Sequence, residues 1–154
     1  MSEVDFVQEI PADKKYLLEL KYSVYLSSVE EKWVSLIVDN KNKKTEFSEK
    51  VEGASKERCE LLAMILSLTW LYDKFDEKAR GYLCVDLYTD SLYGSNIANE
   101  WITKWKPTNF EGRPNEDLLH TLAEIIEEYK TNLHVIYLPT CGSEYLQACK
   151  EKLA

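Results

Sequence analysis

The stretch Leu87-Tyr88-Thr89-Asp90-Ser91-Leu92-Tyr93-Gly94-Ser95-Asn96 sets one carboxylate at the mouth of an apolar segment. Tyr82 to Thr89 alternates as a strand does, and a helix is expected to start near Ser91. An acid at a strand's C-terminal end is well placed for chemistry, because the loops there border a common crevice in α/β proteins. Asp90 also suits an N-cap, accepting a hydrogen bond from a first-turn amide. Cys141 with Cys149, or either histidine (His120, His134), are the remaining thinkable metal ligands, but no zinc-type spacing and no CxxC pair occurs. Trp101, Trp105 and Phe110 are candidates to stack on bases or sugars, or else to pin a helix to a sheet. The run NKNKK, residues 40–44, offers lysines to phosphates or simply to water.

The bulk composition narrows the choices. A chain of 154 residues fits one domain and can bury an ordinary core without metals or disulfides. Net charge is −8, which weighs against general nucleic-acid binding, because that affinity rests on neutralised phosphates. No apolar run is long enough for a membrane span. Residues 1–14 are acidic, lack a signal-peptide core and are expected to form a loosely held arm before a domain at 15–154. Cys59, Cys84, Cys141 and Cys149 are expected to be reduced thiols of an intracellular protein, cytoplasmic or nuclear.

The elements that must position these residues follow from periodicity. Residues 15–27 alternate, with Leu18, Leu20 and Tyr22 on one face and Glu19 and Lys21 on the other. Residues 32–40 and 44–52 give two more strands, joined by short turns as an antiparallel meander. The period then lengthens: Leu61, Ile65, Leu68 and Tyr72 form one helical stripe behind Ser55, an expected N-cap. A fourth strand ends at Thr89, and a helix follows as far as Pro107. Asn115 is expected to cap a helix with Leu118, Leu122, Ile125 and Tyr129 on one side. A fifth strand precedes a closing helix carrying Leu146, Cys149 and Leu153. The order β-β-β-α-β-α-α-β-α implies a five-stranded mixed α/β sheet with helices on both faces.

That order, with Arg58, Glu60 and Leu61 on the first helix and Thr89-Asp90-Ser91 before Tyr93, resembles ribonuclease HI. Trp101, Ile102 and Trp105 match the family's W-I-x-x-W, and Phe110 the aromatic after it. The resemblance spans residues 15–154 and implies the ribonuclease H-like fold. It also implies hydrolysis of the RNA strand of an RNA–DNA hybrid by two Mg²⁺ or Mn²⁺ ions held by four carboxylates.

Two of those acids are matched, by Glu60 and Asp90. Counted back from Glu60 without a gap, the first-strand aspartate falls at Tyr22; matched to the family's last-helix C-D-E-L-A, the acid after Cys149 falls at Lys150. The family's loop histidine becomes Thr140. Glu19, Glu151 and Glu144 are the nearest substitute acids. Lys56 and Glu57 stand where the family touches the hybrid, and Leu92 replaces a polar residue. The basic handle after W-I-x-x-W is neutral here: Lys104, Lys106 and Arg113 face Glu111, Glu116 and Asp117.

The expectation is a catalytically inactive ribonuclease H-like domain, kept as a structural or protein-interaction module. It is expected to need no cofactor, with Mg²⁺ or Mn²⁺ entering only if the site is rearranged and active. Its partner would be a protein of unknown identity, with nucleic-acid binding weak or absent and confined to Lys56, Trp101, Trp105 and Phe110, and with no membrane association. A viral or retroelement origin fits a lost enzymatic role. The alternatives are a hybrid or RNA binder that does not cut, and a nuclease with a rearranged two-metal site.

Overall fold

A computed structural model describes residues 20–154. Strand β1 (Lys21–Val29) pairs antiparallel with β2 (Lys32–Asp39), which pairs antiparallel with β3 (Lys44–Lys50). On its other edge β1 runs parallel to β4 (Cys84–Thr89), which runs parallel to β5 (Leu133–Tyr137). The five strands lie in the order β3-β2-β1-β4-β5. The meander and the parallel half both follow the expectation from periodicity. The hairpins are tight: Glu31 (φ 67°) and Asn42 (φ 65°) take the left-handed conformation their turns require. The expected arm at residues 1–14, and Leu18 and Glu19 of the first strand, lie outside the described residues.

Helix α1 (Lys56–Lys74) begins at Ser55, whose hydroxyl accepts from the Arg58 amide at 3.1 Å, as expected. It packs on β1 and β2 and buries Leu61, Leu68 and Leu71. A short α2 (Glu77–Arg80), capped by Asp76, leads into β4. After β4 come α3 (Leu92–Asn96), one π-helical turn (Ile97–Trp101) and α4 (Ile102–Trp105). The helix does break at Pro107, within a 3₁₀ turn. Helix α5 (Glu116–Tyr129) buries Leu119, Leu122 and Tyr129; Leu118 and Ile125 pack at the margin of that face.

Helix α6 (Glu144–Leu153), capped by the Ser143 hydroxyl, packs on the opposite face of β1 and β2 from α1. It closes a second, smaller core of Val34, Leu36, Val38 and Cys149. Strand β2 is therefore covered on both sides, and Trp33 to Val38 are all buried. No described helix is long and apolar enough to cross a membrane.

Two expectations are corrected. Asp90 does not cap the helix after β4. Ser91 does, its hydroxyl accepting from the Gly94 amide at 3.1 Å, which releases the Asp90 carboxylate for other bonds. Asn115 occupies the N-cap position of α5, but in the left-handed conformation (φ 62°) and without a capping bond. Its side-chain oxygen instead accepts from Arg58 Nη1 at 3.1 Å.

Candidate active site

The parallel pairing of β1 with β4 decides which residues meet. Leu26 is level with Thr89, so Ser27 and Ser28 stand beside the strand end that carries Asp90. Successive side chains alternate between faces. Ser28 therefore turns toward α1 and Ser27 away from it. Thr89 and Asp90 divide in the same way.

On the α1 side lies Glu60, with no solvent exposure at all. Ser28 Oγ donates to its Oε1 at 2.9 Å, and Thr89 Oγ1 to its Oε2 at 2.5 Å. The Thr89 hydroxyl in turn accepts the Ser91 amide at 3.0 Å. Above the carboxyl sits Gly94. A Cβ at that position would lie 2.5 Å from Glu60 Oε2 and 2.8 Å from its Cγ. The glycine backbone is thus a lid resting directly on the acid. Burial drives the proton affinity of Glu60 upward, and the nearby Asp90 charge adds to this. The Thr89 and Ser28 hydroxyls, and Lys56, oppose it.

On the other side Asp90 is half-buried. Its Oδ2 accepts from Thr140 Oγ1 at 2.8 Å and from Ser27 Oγ at 3.2 Å. Glu60 and Asp90 are brought to one strand end, as the sequence suggested. Their neighbours are hydroxyls.

Tyr22 is not part of this cluster. It is level with Val85, five residues before Ser27 on β1, or about 16 Å along an extended strand. Its ring packs 6.0 Å from that of Phe75, in a recess shared with Asp39, Lys43 and Trp70. The gapless count from Glu60 does not fix strand register, and the pairing of β1 with β4 sets Ser27, not Tyr22, beside the strand end that carries Asp90. The residue facing Asp90 from the first strand is Ser27. The absence of an acid there persists, with a different residue responsible. Thr140 does reach the site. Lys150 is exposed on α6 beside the buried Cys149. The Cys149 thiol is directed at the Tyr25 carbonyl (3.7 Å), and burial pushes its pKa up to about 12.

A family model for RNase H matches residues 25–140, most of the chain. The chain belongs to the RNase H family. A ribonuclease H from Campylobacter concisus (strain 13826) is 39% identical over 46 residues, covering 30% of this chain and 32% of that relative. The matched stretch thus spans about a third of the relative's length. Among solved structures, the prototype foamy virus RNase H domain is 18% identical with a TM-score of 0.59, over 87% of this chain and 90% of that one. RNase H1 from the archaeon Halobacterium salinarum is 15% identical with a TM-score of 0.56, over 86% and 97%. The foamy viral protease-reverse transcriptase in complex with RNA/DNA hybrid is 13% identical with a TM-score of 0.65; the match covers 100% of this chain and 21% of that one. At these identities the structural matches show the RNase H fold.

The metal pair associated with RNase H chemistry requires several carboxylate oxygens open to solvent. The donor set here does not fit that requirement. Glu60 is covered, both of its oxygens engage hydroxyls, and β1 presents Ser27 and Ser28. Among the described residues no group of three or more His, Cys, Asp or Glu side chains could hold a metal ion. Glu151 and Glu144 are exposed on α6, and Glu19 lies outside the described residues.

The residues expected to touch nucleic acid divide. Lys56 is exposed at the start of α1. Trp101 and Trp105 stack on each other at 5.1 Å, with Lys104 over the first ring and Arg113 over the second. Phe110 is corrected: it is 2% exposed, edge-on to His120 at 4.9 Å, and cannot stack on a base. Its backbone takes the left-handed conformation (φ 59°), uncommon for an aromatic residue. Sequence reasoning missed Ser27, Ser28, Thr89 and Gly94. The available signals were adjacent serines in an otherwise apolar strand, and a glycine inside a helical pattern, which marks a close approach.

Proposed function

We propose that this RNase H domain does not hydrolyse its family's substrate and serves as a structural or protein-binding module. The observation that carries the reading is Glu60 held beneath Gly94, with both oxygens engaged by hydroxyls. An acid in that position is a hydrogen-bonding strut. A metal ion could reach it only if α3 lifted away. The Ser27 hydroxyl facing Asp90 supports the same reading, because magnesium prefers carboxylate ligands to a neutral alcohol. No cofactor is then required.

Charge argues for a protein partner over nucleic acid. The chain carries −8, and the cations nearest the tryptophans, Lys104 and Arg113, already cover those rings. The Trp101–Trp105 pair is the one feature favouring a hybrid or RNA binder that does not cut. Four free thiols accord with a reducing compartment, cytoplasmic or nuclear. The lost function accords with a captured viral or retroelement enzyme.

The test is incubation of the purified chain with labelled RNA–DNA hybrid in Mg²⁺ and in Mn²⁺. The expected result is no cleavage above buffer, unchanged by Asp90→Asn. Cleavage that Asp90→Asn abolishes would overturn the proposal. Retardation of the hybrid without cleavage, lost in a Trp101→Ala, Trp105→Ala double variant, would favour the silent binder.

A further inference from the structure

Beyond the question of catalysis, the outer edge of the sheet has a feature of its own. Among the described residues β3 pairs only with β2. The Val51 amide donates to the Glu31 carbonyl and the Asp39 amide to the Lys43 carbonyl, at 2.8 and 3.0 Å. In an antiparallel ladder the inward-bonding residues alternate. Odd-numbered residues of β3 therefore bond toward β2. Lys44, Glu46, Ser48 and Lys50 point their backbone N–H and C=O outward.

Beside this edge, on the α1 face, runs an open groove of about 420 Å³ lined by Trp33, Phe47, Leu66 and Trp70. Phe47 meets Trp70 edge-on at 5.3 Å, and Leu66 is 44% exposed. An unpaired edge beside exposed apolar surface is a template for strand addition.

We infer that a second copy of this chain adds its own β3 antiparallel to this edge, about a two-fold axis at Ser48, making one ten-stranded sheet. Charge argues for a second copy as the partner and, among axes from Glu46 to Glu49, for one register. With the axis at Ser48, Glu46, which Lys152 of α6 holds at 2.6 Å, lies opposite the other copy's Lys50, so each Glu46 stands between two lysines, and the symmetry repeats that pairing. With the axis at Phe47, Lys44 would oppose Lys50. At Glu49 the axis would set Glu46 against Glu52, and at Glu46 it would set two glutamates against each other. Only the Ser48 axis among these avoids facing like charges, which destabilise a ladder. It also places the two copies of Phe47 diagonally across the seam on the α1 face, within reach of aromatic side chains.

Sedimentation equilibrium of the full chain tests this. The wild type is expected to show a concentration-dependent dimer. Ser48→Pro deletes an outward N–H and no bond to β2, so it should give a folded monomer. Lys50→Glu should raise the dimer dissociation constant about tenfold by facing two glutamates across each pair. Adding Glu46→Lys to Lys50→Glu, with Lys152→Glu to preserve the ion pair that residue 152 makes with residue 46, should restore dimerisation, since the opposed signs return in exchanged positions. The proposal is overturned by a wild type that stays monomeric throughout. It is equally overturned by a dimer that Ser48→Pro and Lys50→Glu leave unchanged, which would place the interface elsewhere.

Discussion

At the scale of single residues, Glu60 and Gly94 form one unit. Adding a methyl at residue 94 would place carbon 2.5 Å from a carboxylate oxygen that has nowhere to go. Gly94→Ala should cost about 1–3 kcal/mol by chemical denaturation, as overpacking in a core does. Combined with Glu60→Ala, the loss should be smaller than the sum of the two single losses, because each change relieves the other. The sign of the pH dependence follows from burial. Glu60 holds its proton more tightly in the folded chain than in the unfolded one. Its contribution is therefore fully present below the ordinary carboxylate range and is lost as pH rises through the raised folded-state value. Glu60→Gln keeps the shape and cannot ionise, so thermal melts at increasing pH should show a flatter decline than the wild type. A steeper decline would mean that the acid is charged in its pocket. Asp90 was legible as a site residue because its type and its place at a strand end both stand in the sequence. The hydroxyl ring around it was not, since serine and threonine in a strand look the same whether or not they face an acid.

Elements were read more easily than the spacing between them. The change from period two to a helical stripe at Ser55 located α1, and the cap bond there confirms the reason. Strand register is fixed by hairpin geometry, which a residue count cannot supply. That is why Tyr22 was assigned to a position Ser27 occupies. The π turn at Ile97–Trp101 left no periodic mark either. Three side-chain links join α1 to α5, Tyr129 to Leu68, Tyr72 to Glu128 and Arg58 to Asp117, and two of them support predictions. The Tyr129 hydroxyl donates to the Leu68 carbonyl at 2.6 Å in the core. Tyr129→Phe should cost about 1 kcal/mol, the net worth of one such bond, in urea denaturation. At the exposed end, Arg58 holds Asp117 in a two-pronged pair and lowers its pKa to about 2. That contribution is present above the ordinary carboxylate range and is lost as pH falls toward about 2. Because the pair is solvent-exposed, Asp117→Asn should lower the melting temperature at neutral pH only slightly, and the difference should vanish in strong acid.

For the whole molecule, the acidic surface sets what can be tested. If nucleic acid is not a partner, hybrid should fail to bind even at low salt, where phosphate contacts are strongest. Binding that appears only there and fades with added salt would be non-specific. Fold class was legible because element order alone restricts a β-β-β-α-β chain to very few sheet topologies. The edge surface at β3 was not, because its open groups emerge only once the inward bonds are assigned.

The glycine lid has a historical consequence. Restoring acids by substitution, as in a Ser27→Asp, Lys150→Asp variant, would still leave Glu60 locked below the backbone of α3. Such a reversion should remain silent toward hybrid in either metal. If the proposed inactivity holds, turnover would also require a bulkier residue at 94 to displace the carboxylate from its pocket, a step expected to destabilise the fold on its own. On the proposed reading, packing at residue 94 therefore stands between the added acids and a usable metal site.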